Sequence, residues 1–84
     1  MVTLLYFASL RENVGCSREQ VALPSGNATV ASLVDQLRAR DGRWTEAFAA
    51  GKQWRVAVNQ QMANAATPVK PGDEVAFFPP VTGG

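Results

Sequence analysis

Two apolar runs stand near opposite ends of this 84-residue chain, Val2-Thr3-Leu4-Leu5-Tyr6-Phe7-Ala8 and Glu74-Val75-Ala76-Phe77-Phe78, and any fold must cover both. Their β-branched and aromatic content reads as strand. The first run has no charge in it, the pattern of a strand covered on both faces in the middle of a sheet. A chain of this length forms one domain and buries only about 60% of the surface its unfolded form exposes. Both runs must therefore share one thin core, too small to enclose most catalytic clefts.

The stretch between them divides into short elements. Ser9 and Glu12 have capping-box spacing and Gly15 offers a left-handed stop, which predicts a helical turn over Leu10 to Val14. Arg18 to Leu23 reads as a second strand, ended by Pro24-Ser25-Gly26. Val30, Leu33, Val34 and Leu37 recur at i, i+3, i+4 and i+7, so one helix carries an apolar stripe, with Thr29 as its N-cap and Asp41-Gly42 as its stop. Arg38, Arg40 and Arg43 then mark a solvated helix end. Arg43 to Ala50 predicts a shorter helix facing Trp44 and Phe48 inward and ended by Gly51. Trp54 to Asn59 alternates as a third strand, and Gln60 to Ala63 reads as a turn with a short strand. Lys70-Pro71-Gly72-Asp73 has Pro and Gly placed for a turn before the last strand, Glu74 to Phe78.

Two strands, one good helix, then two or three strands give an α+β domain. The expected architecture is a β-grasp (ubiquitin-like) fold: a mixed sheet of four to five strands with one main helix packed on one face. Strands one and two form a hairpin, and the last strand lies parallel beside the first. A ferredoxin-like fold needs a second full helix, which Gln61 to Val69 cannot supply across Asn64, Thr67 and Pro68. Residues 1–80 form the domain, and 81–84 extend from it as a flexible Gly-Gly tail.

Composition removes most chemistry. The chain has no histidine and one cysteine, Cys16, which excludes catalytic triads, metal sites of the zinc type and an internal disulfide. Eight Lys and Arg against seven Asp and Glu leave a net charge of +1, with no basic excess for nucleic acid. No positive leader precedes the first apolar run and no stretch approaches a membrane span, so a cytoplasmic setting without membrane partners is expected. Cys16, without a histidine or a resolving thiol, reads as structurally neutral; Trp44 and Trp54 read as packing. Asp73 and Glu74 read as a polar turn rather than as a patch steering a basic partner.

The remaining signal is the tail. Pro79-Pro80 cannot continue a sheet and projects the last four residues as a stiff segment. Val81-Thr82-Gly83-Gly84 reaches about 13 Å when extended, enough to enter another protein's active-site channel. Glycines make its tip thin and leave the Gly84 carbonyl unhindered. An ordinary frayed end is the alternative; at the end of a β-grasp pattern, the tail suggests an acyl carrier whose working group is its own carboxylate.

Phe77-Phe78-Pro79-Pro80-Val81-Thr82-Gly83-Gly84 resembles the terminal signature of the small subunit of molybdopterin synthase. Phe7-Ala8-Ser9-Leu10-Arg11-Glu12 with Gly15, Val58-Asn59 and Pro71-Gly72-Asp73-Glu74-Val75 are similar to other parts of that family's pattern. The resemblance implies a ubiquitin-like sulfur carrier for molybdenum cofactor biosynthesis, not catalytic alone. An adenylating enzyme would use ATP and magnesium to activate Gly84, and a persulfide donor would convert it to a thiocarboxylate. The tail, Val81, Thr82 and Gly83, would then insert into the large synthase subunit, which binds cyclic pyranopterin monophosphate. No cofactor would be held permanently, and the family assembly is a heterotetramer. Phe7, Met62 and Phe78 match the family's partner-binding positions; ordinary core is the alternative for Phe7 and Met62. A sulfur carrier for thiamine synthesis, a ubiquitin-like protein modifier and a plain interaction module are the competing functions.

Overall fold

The computed structural model describes residues 1–24, 26–49 and 54–79. Five strands form one mixed sheet: β1 (Val2–Tyr6), β2 (Arg18–Val21), β3 (Arg55–Val58), β4 (Gln61–Ala63) and β5 (Glu74–Phe78). Their order is β2-β1-β5-β3-β4. β1 and β2 pair antiparallel and β1 and β5 pair parallel, which is the β-grasp arrangement. Three helices, α1 (Ala8–Val14), α2 (Val30–Arg38) and α3 (Gly42–Ala47), share one core with the sheet. The single main helix expected from the sequence is α2, the longest.

Val2, Leu4 and Tyr6 are at most 1% exposed and face the helices, while Thr3 and Leu5 are half-buried on the opposite face. The apolar run at the start of the chain is thus not covered alike on both sides. It is continuous because the sheet's outer face is apolar as well, and this obscures the period of two that a strand imposes. Across the core face, Leu33, Leu37, Trp44 and Phe48 from the helices meet Val56, Val75 and Phe77.

The helix ends depart from the expected caps in two places. Phe7 itself is the N-cap of α1, extended at φ −120° and ψ 151°, and its carbonyl accepts from Leu10 and Arg11. Ser9 therefore lies inside the helix, where it cannot cap, and the Ser9–Glu12 box does not form. Gly15 does end the helix at φ +74°. Thr29 caps α2 as predicted, in a reciprocal box with Ser32. Asp41-Gly42 is a start and not a stop: α2 ends at Arg38 with Ala39 as its C-cap, and Asp41 Oδ1 accepts from the Arg43 N–H at 2.9 Å to cap α3. The expected stop at Gly51 lies outside the described residues. Gly72, at φ +90°, closes the Lys70–Asp73 turn as the Pro-Gly pair requires.

One polar network ties hairpin to helices. Arg40 clamps Glu19 with two hydrogen bonds of 2.8 and 2.9 Å, and the Tyr6 hydroxyl donates to the same carboxylate at 2.8 Å. The Arg40 guanidinium also lies 4.4 Å from the Trp44 ring centre, and Trp44 meets Tyr6 edge to face. Arg40 is thus a tertiary anchor; Arg43 stays at the surface with Asp41. Burial by itself would raise the Glu19 pKa, but the bonds from Arg40 and Tyr6 outweigh it and hold the carboxyl below its ordinary value. Burial, and then the bond to Glu19, push the Tyr6 hydroxyl well above its ordinary value.

A depressed folded-state pKa gives stability that is whole above the unfolded carboxylate value and is lost as pH falls through the folded one. Glu19→Gln should therefore be less stable than the parent near neutrality, with the gap closing on acidification. Urea melts of both proteins across the acid range test this; a gap that stays constant would contradict it.

Candidate functional site

Sheet register decides which side chains share the face away from the helices. Leu5 stands opposite Ala76 and Arg18, Ala76 opposite Ala57, and Ala57 opposite Met62. Two residues further along β5, Phe78 lies opposite Arg55. Phe7 follows β1 and donates its N–H to the Phe77 carbonyl at 3.1 Å, so the parallel pairing continues one step beyond the strand. Its ring stacks on Phe78 with centres 4.8 Å apart and planes 7° from parallel.

Leu5, Phe7, Ala57, Met62, Ala76 and Phe78 line a shallow groove of about 440 Å³, with Gln60 and Glu74 as its polar members. Phe7 is 40% exposed and Met62 66%, so neither is a core residue; Phe78 is half-buried. The structure brings Phe7, Met62 and Phe78, from three separate segments, into that one groove. Exposed aromatic and thioether side chains in a contiguous patch mark an interaction surface. Sequence reading missed Leu5, Ala57 and Ala76. Strand parity could have found Leu5, since it alternates with Leu4 and Tyr6.

The far end of the groove is held by side-chain hydrogen bonding. Asn59 and Gln60 both have positive φ, 50° and 69°, and form the two-residue hairpin between β3 and β4. The Asn59 side chain donates to Asp73 Oδ1 and accepts from the Glu74 N–H, each at 3.0 Å. Asp73 also accepts from the Lys70 N–H at 2.8 Å. The Asn59 amide, then the Lys70 N–H, keep the Asp73 carboxyl below its ordinary value. Asp73 is a turn residue, as its sequence context indicates.

Other candidates remain structural. Cys16 is half-buried, its thiol directed at the Arg18 carbonyl 3.3 Å away. Trp44 is buried, and Trp54 packs edge-on against Phe48 and Phe77. Among the described residues no three acidic or cysteine side chains are placed to hold a metal, and no helix is long and apolar enough to cross a membrane. The tail positions Val81, Thr82, Gly83 and Gly84 lie outside the described residues, as does the boundary at residue 80. The last residue described, Pro79, leaves the sheet directly after Phe78, beside the groove.

A mixed five-stranded sheet in the order β2-β1-β5-β3-β4, with its helices sharing one core, places the chain in the class of ubiquitin-like β-grasp domains. Residues 4–84 match the ThiS family, and the chain belongs to that family. It is 44% identical to the molybdopterin synthase sulfur carrier subunit of Escherichia coli (strain K12) over 84 residues, covering 100% of both chains. The protein of the same name from Haemophilus influenzae is 39% identical over 84 residues, again covering 100% of both. Among solved structures, SAMP1 from Haloferax volcanii is 28% identical, with 99% of this chain and 98% of that one covered and a TM-score of 0.77. A putative molybdopterin converting factor, subunit 1, from Pyrococcus furiosus is also 28% identical, with coverages of 95% and 97% and a TM-score of 0.77. The small archaeal modifier protein 1 of H. volcanii is 26% identical, with 95% and 97% covered and a TM-score of 0.70. The relatives bear out the family resemblance read from the sequence.

The two faces of the sheet should respond differently to truncation. Phe77→Ala, at a fully buried position, should cost about 3–5 kcal/mol. Phe7→Ala, at an exposed stacked pair, should cost about 1 kcal/mol. Urea unfolding measures both; equal losses would place Phe7 in the core.

Proposed function

We propose that this chain is the sulfur carrier subunit of a molybdopterin synthase and that the carboxylate of Gly84 carries the sulfur. The observation that carries this reading is the end-to-end match, at 44% identity, to a protein of that name. The chain contains no histidine, so any imidazole acid–base chemistry is assigned to its partners.

A carboxylate is a poor electrophile. Attack of a Gly84 oxygen on the α-phosphorus of ATP, with magnesium held by an activating enzyme, would expel pyrophosphate and leave an acyl adenylate. The terminal sulfur of a persulfide donor then adds to that carbonyl and AMP departs. A thiol cleaves the remaining S–S bond, which leaves the thiocarboxylate and a disulfide. In the large subunit that sulfur becomes the nucleophile toward cyclic pyranopterin monophosphate, and two successive carriers complete the dithiolene. Gly83 and Gly84 present no side chain to hinder these attacks, and Val81 and Thr82 occupy the partner's channel.

Phe7, Met62 and Phe78 dock the carrier on its partners; their shared groove, with Phe7 and Met62 exposed, supports this role. A cytoplasmic setting suits the chemistry and a free Cys16 thiol. Likeness to the small archaeal modifier protein supports a second reading, in which the same adenylate is passed to lysine amines. Isopeptide adducts in place of a thiocarboxylate would establish that one.

Deleting Gly84 should abolish sulfur loading by activating enzyme, ATP and persulfide donor, while changing folding stability by less than about 0.5 kcal/mol. Loading assays and thermal melts of the parent and the deletion check this. Retained loading would contradict the role of Gly84, and a large stability loss would contradict its separateness from the core.

A further inference from the structure

Two cations flank the apolar face. Arg18 stands opposite Leu5 on the β2 side, and Arg55 stands opposite Phe78 on the β3 side. Both are exposed, and among the described residues neither forms an ion pair. Three strand spacings separate β2 from β3, which puts the two backbones about 14 Å apart with Leu5, Phe7, Ala76 and Phe78 between them. Glu74, the acidic member of the groove, sits four residues before Phe78 along β5, about 13 Å away.

Lone arginines on a sheet often guard an edge against stray pairing, and Arg18 in edge strand β2 fits that use. Arg55 lies instead in an interior strand, at the end of β3, where it pairs with Phe78 of β5 but not with β4. An exposed arginine whose backbone pairs with that of the half-buried Phe78, and which forms no ion pair among the described residues, is available to an incoming surface. A second copy is a poor occupant, because face-to-face pairing would set like charges against each other.

We propose, resting on the sulfur-carrier reading above, that Arg18 and Arg55 form a cationic rim that selects an acidic-rimmed partner: a large-subunit surface with an apolar centre and a carboxylate on each side. The rim acts mainly on encounter, steering the partner over the groove before Phe7 and Met62 desolvate.

The test is the association rate of the full chain with the large synthase subunit of the same organism, by stopped flow at low and high ionic strength. Arg18→Glu/Arg55→Glu should slow association about tenfold at low salt, with the difference shrinking at high salt. Arg18→Lys/Arg55→Lys should keep the parent rate, and Arg43→Glu, on the helical layer, should leave it unchanged. Matching melting temperatures confirm that each variant is folded. If the parent binds and the double Glu variant binds at the same rate, the rim is wrong and the carrier reading stands. A parent that binds no large subunit overturns both, and a parent that dimerises through Phe7 and Met62 overturns the choice of partner.

Discussion

The parallel pairing of β1 with β5 is the contact on which the rest of the molecule depends. It joins residues 2–6 to residues 74–78, so nearly the whole chain must be laid out as the connection between them. Leu4, Val75 and Phe77 in these two strands have no measurable exposure, and Tyr6 has 1%. Burying them against the helices supplies much of the thin core that a small domain can build. The same register puts Phe7 beside Phe78, so a single pairing creates the core on one face and the aromatic pair on the other.

The second constraint is the Tyr6–Glu19–Arg40 cluster, which fixes how the helical layer sits over the hairpin. Its members come from β1, from β2 and from the segment after α2, and all converge on one carboxylate. Losing Arg40 or Glu19 would leave a partly buried charge without its ion-pair partner. With the helices anchored there, the outer face is left without cover, and the proposed docking of partners uses that face and the chain leaving it.

Much of this was legible in the sequence where a signal was local and strong. The i, i+3, i+4, i+7 stripe and Thr29 located α2, and the Pro-Gly turn located the start of β5 at Glu74. Parity failed where both faces of a strand were apolar, so Leu5 passed as core and the extent of the outer patch was hidden. Local cap rules failed where the chain passed from strand to helix without a spacer, as at Phe7, and where one helix followed another within three residues, as at Asp41. Arg40 was misread as solvated because its partner Glu19 lies 21 residues earlier, beyond the reach of any local pattern. Phe7, Met62 and Phe78 were named through family resemblance, and only the register explains why they meet.

The central claim concerns one atom at Gly84, and mass spectrometry of the C-terminal peptide, from protein isolated from its native cell, tests it most directly. Intact mass is a poor substitute, since oxidation at Cys16, Met1 or Met62 adds nearly the same mass as exchanging oxygen for sulfur. The account predicts a fraction of the peptide with one oxygen replaced by sulfur, localised to Gly84. A free carboxylate in all of the material, unchanged after incubation with ATP, a persulfide donor and the activating enzyme, would contradict it.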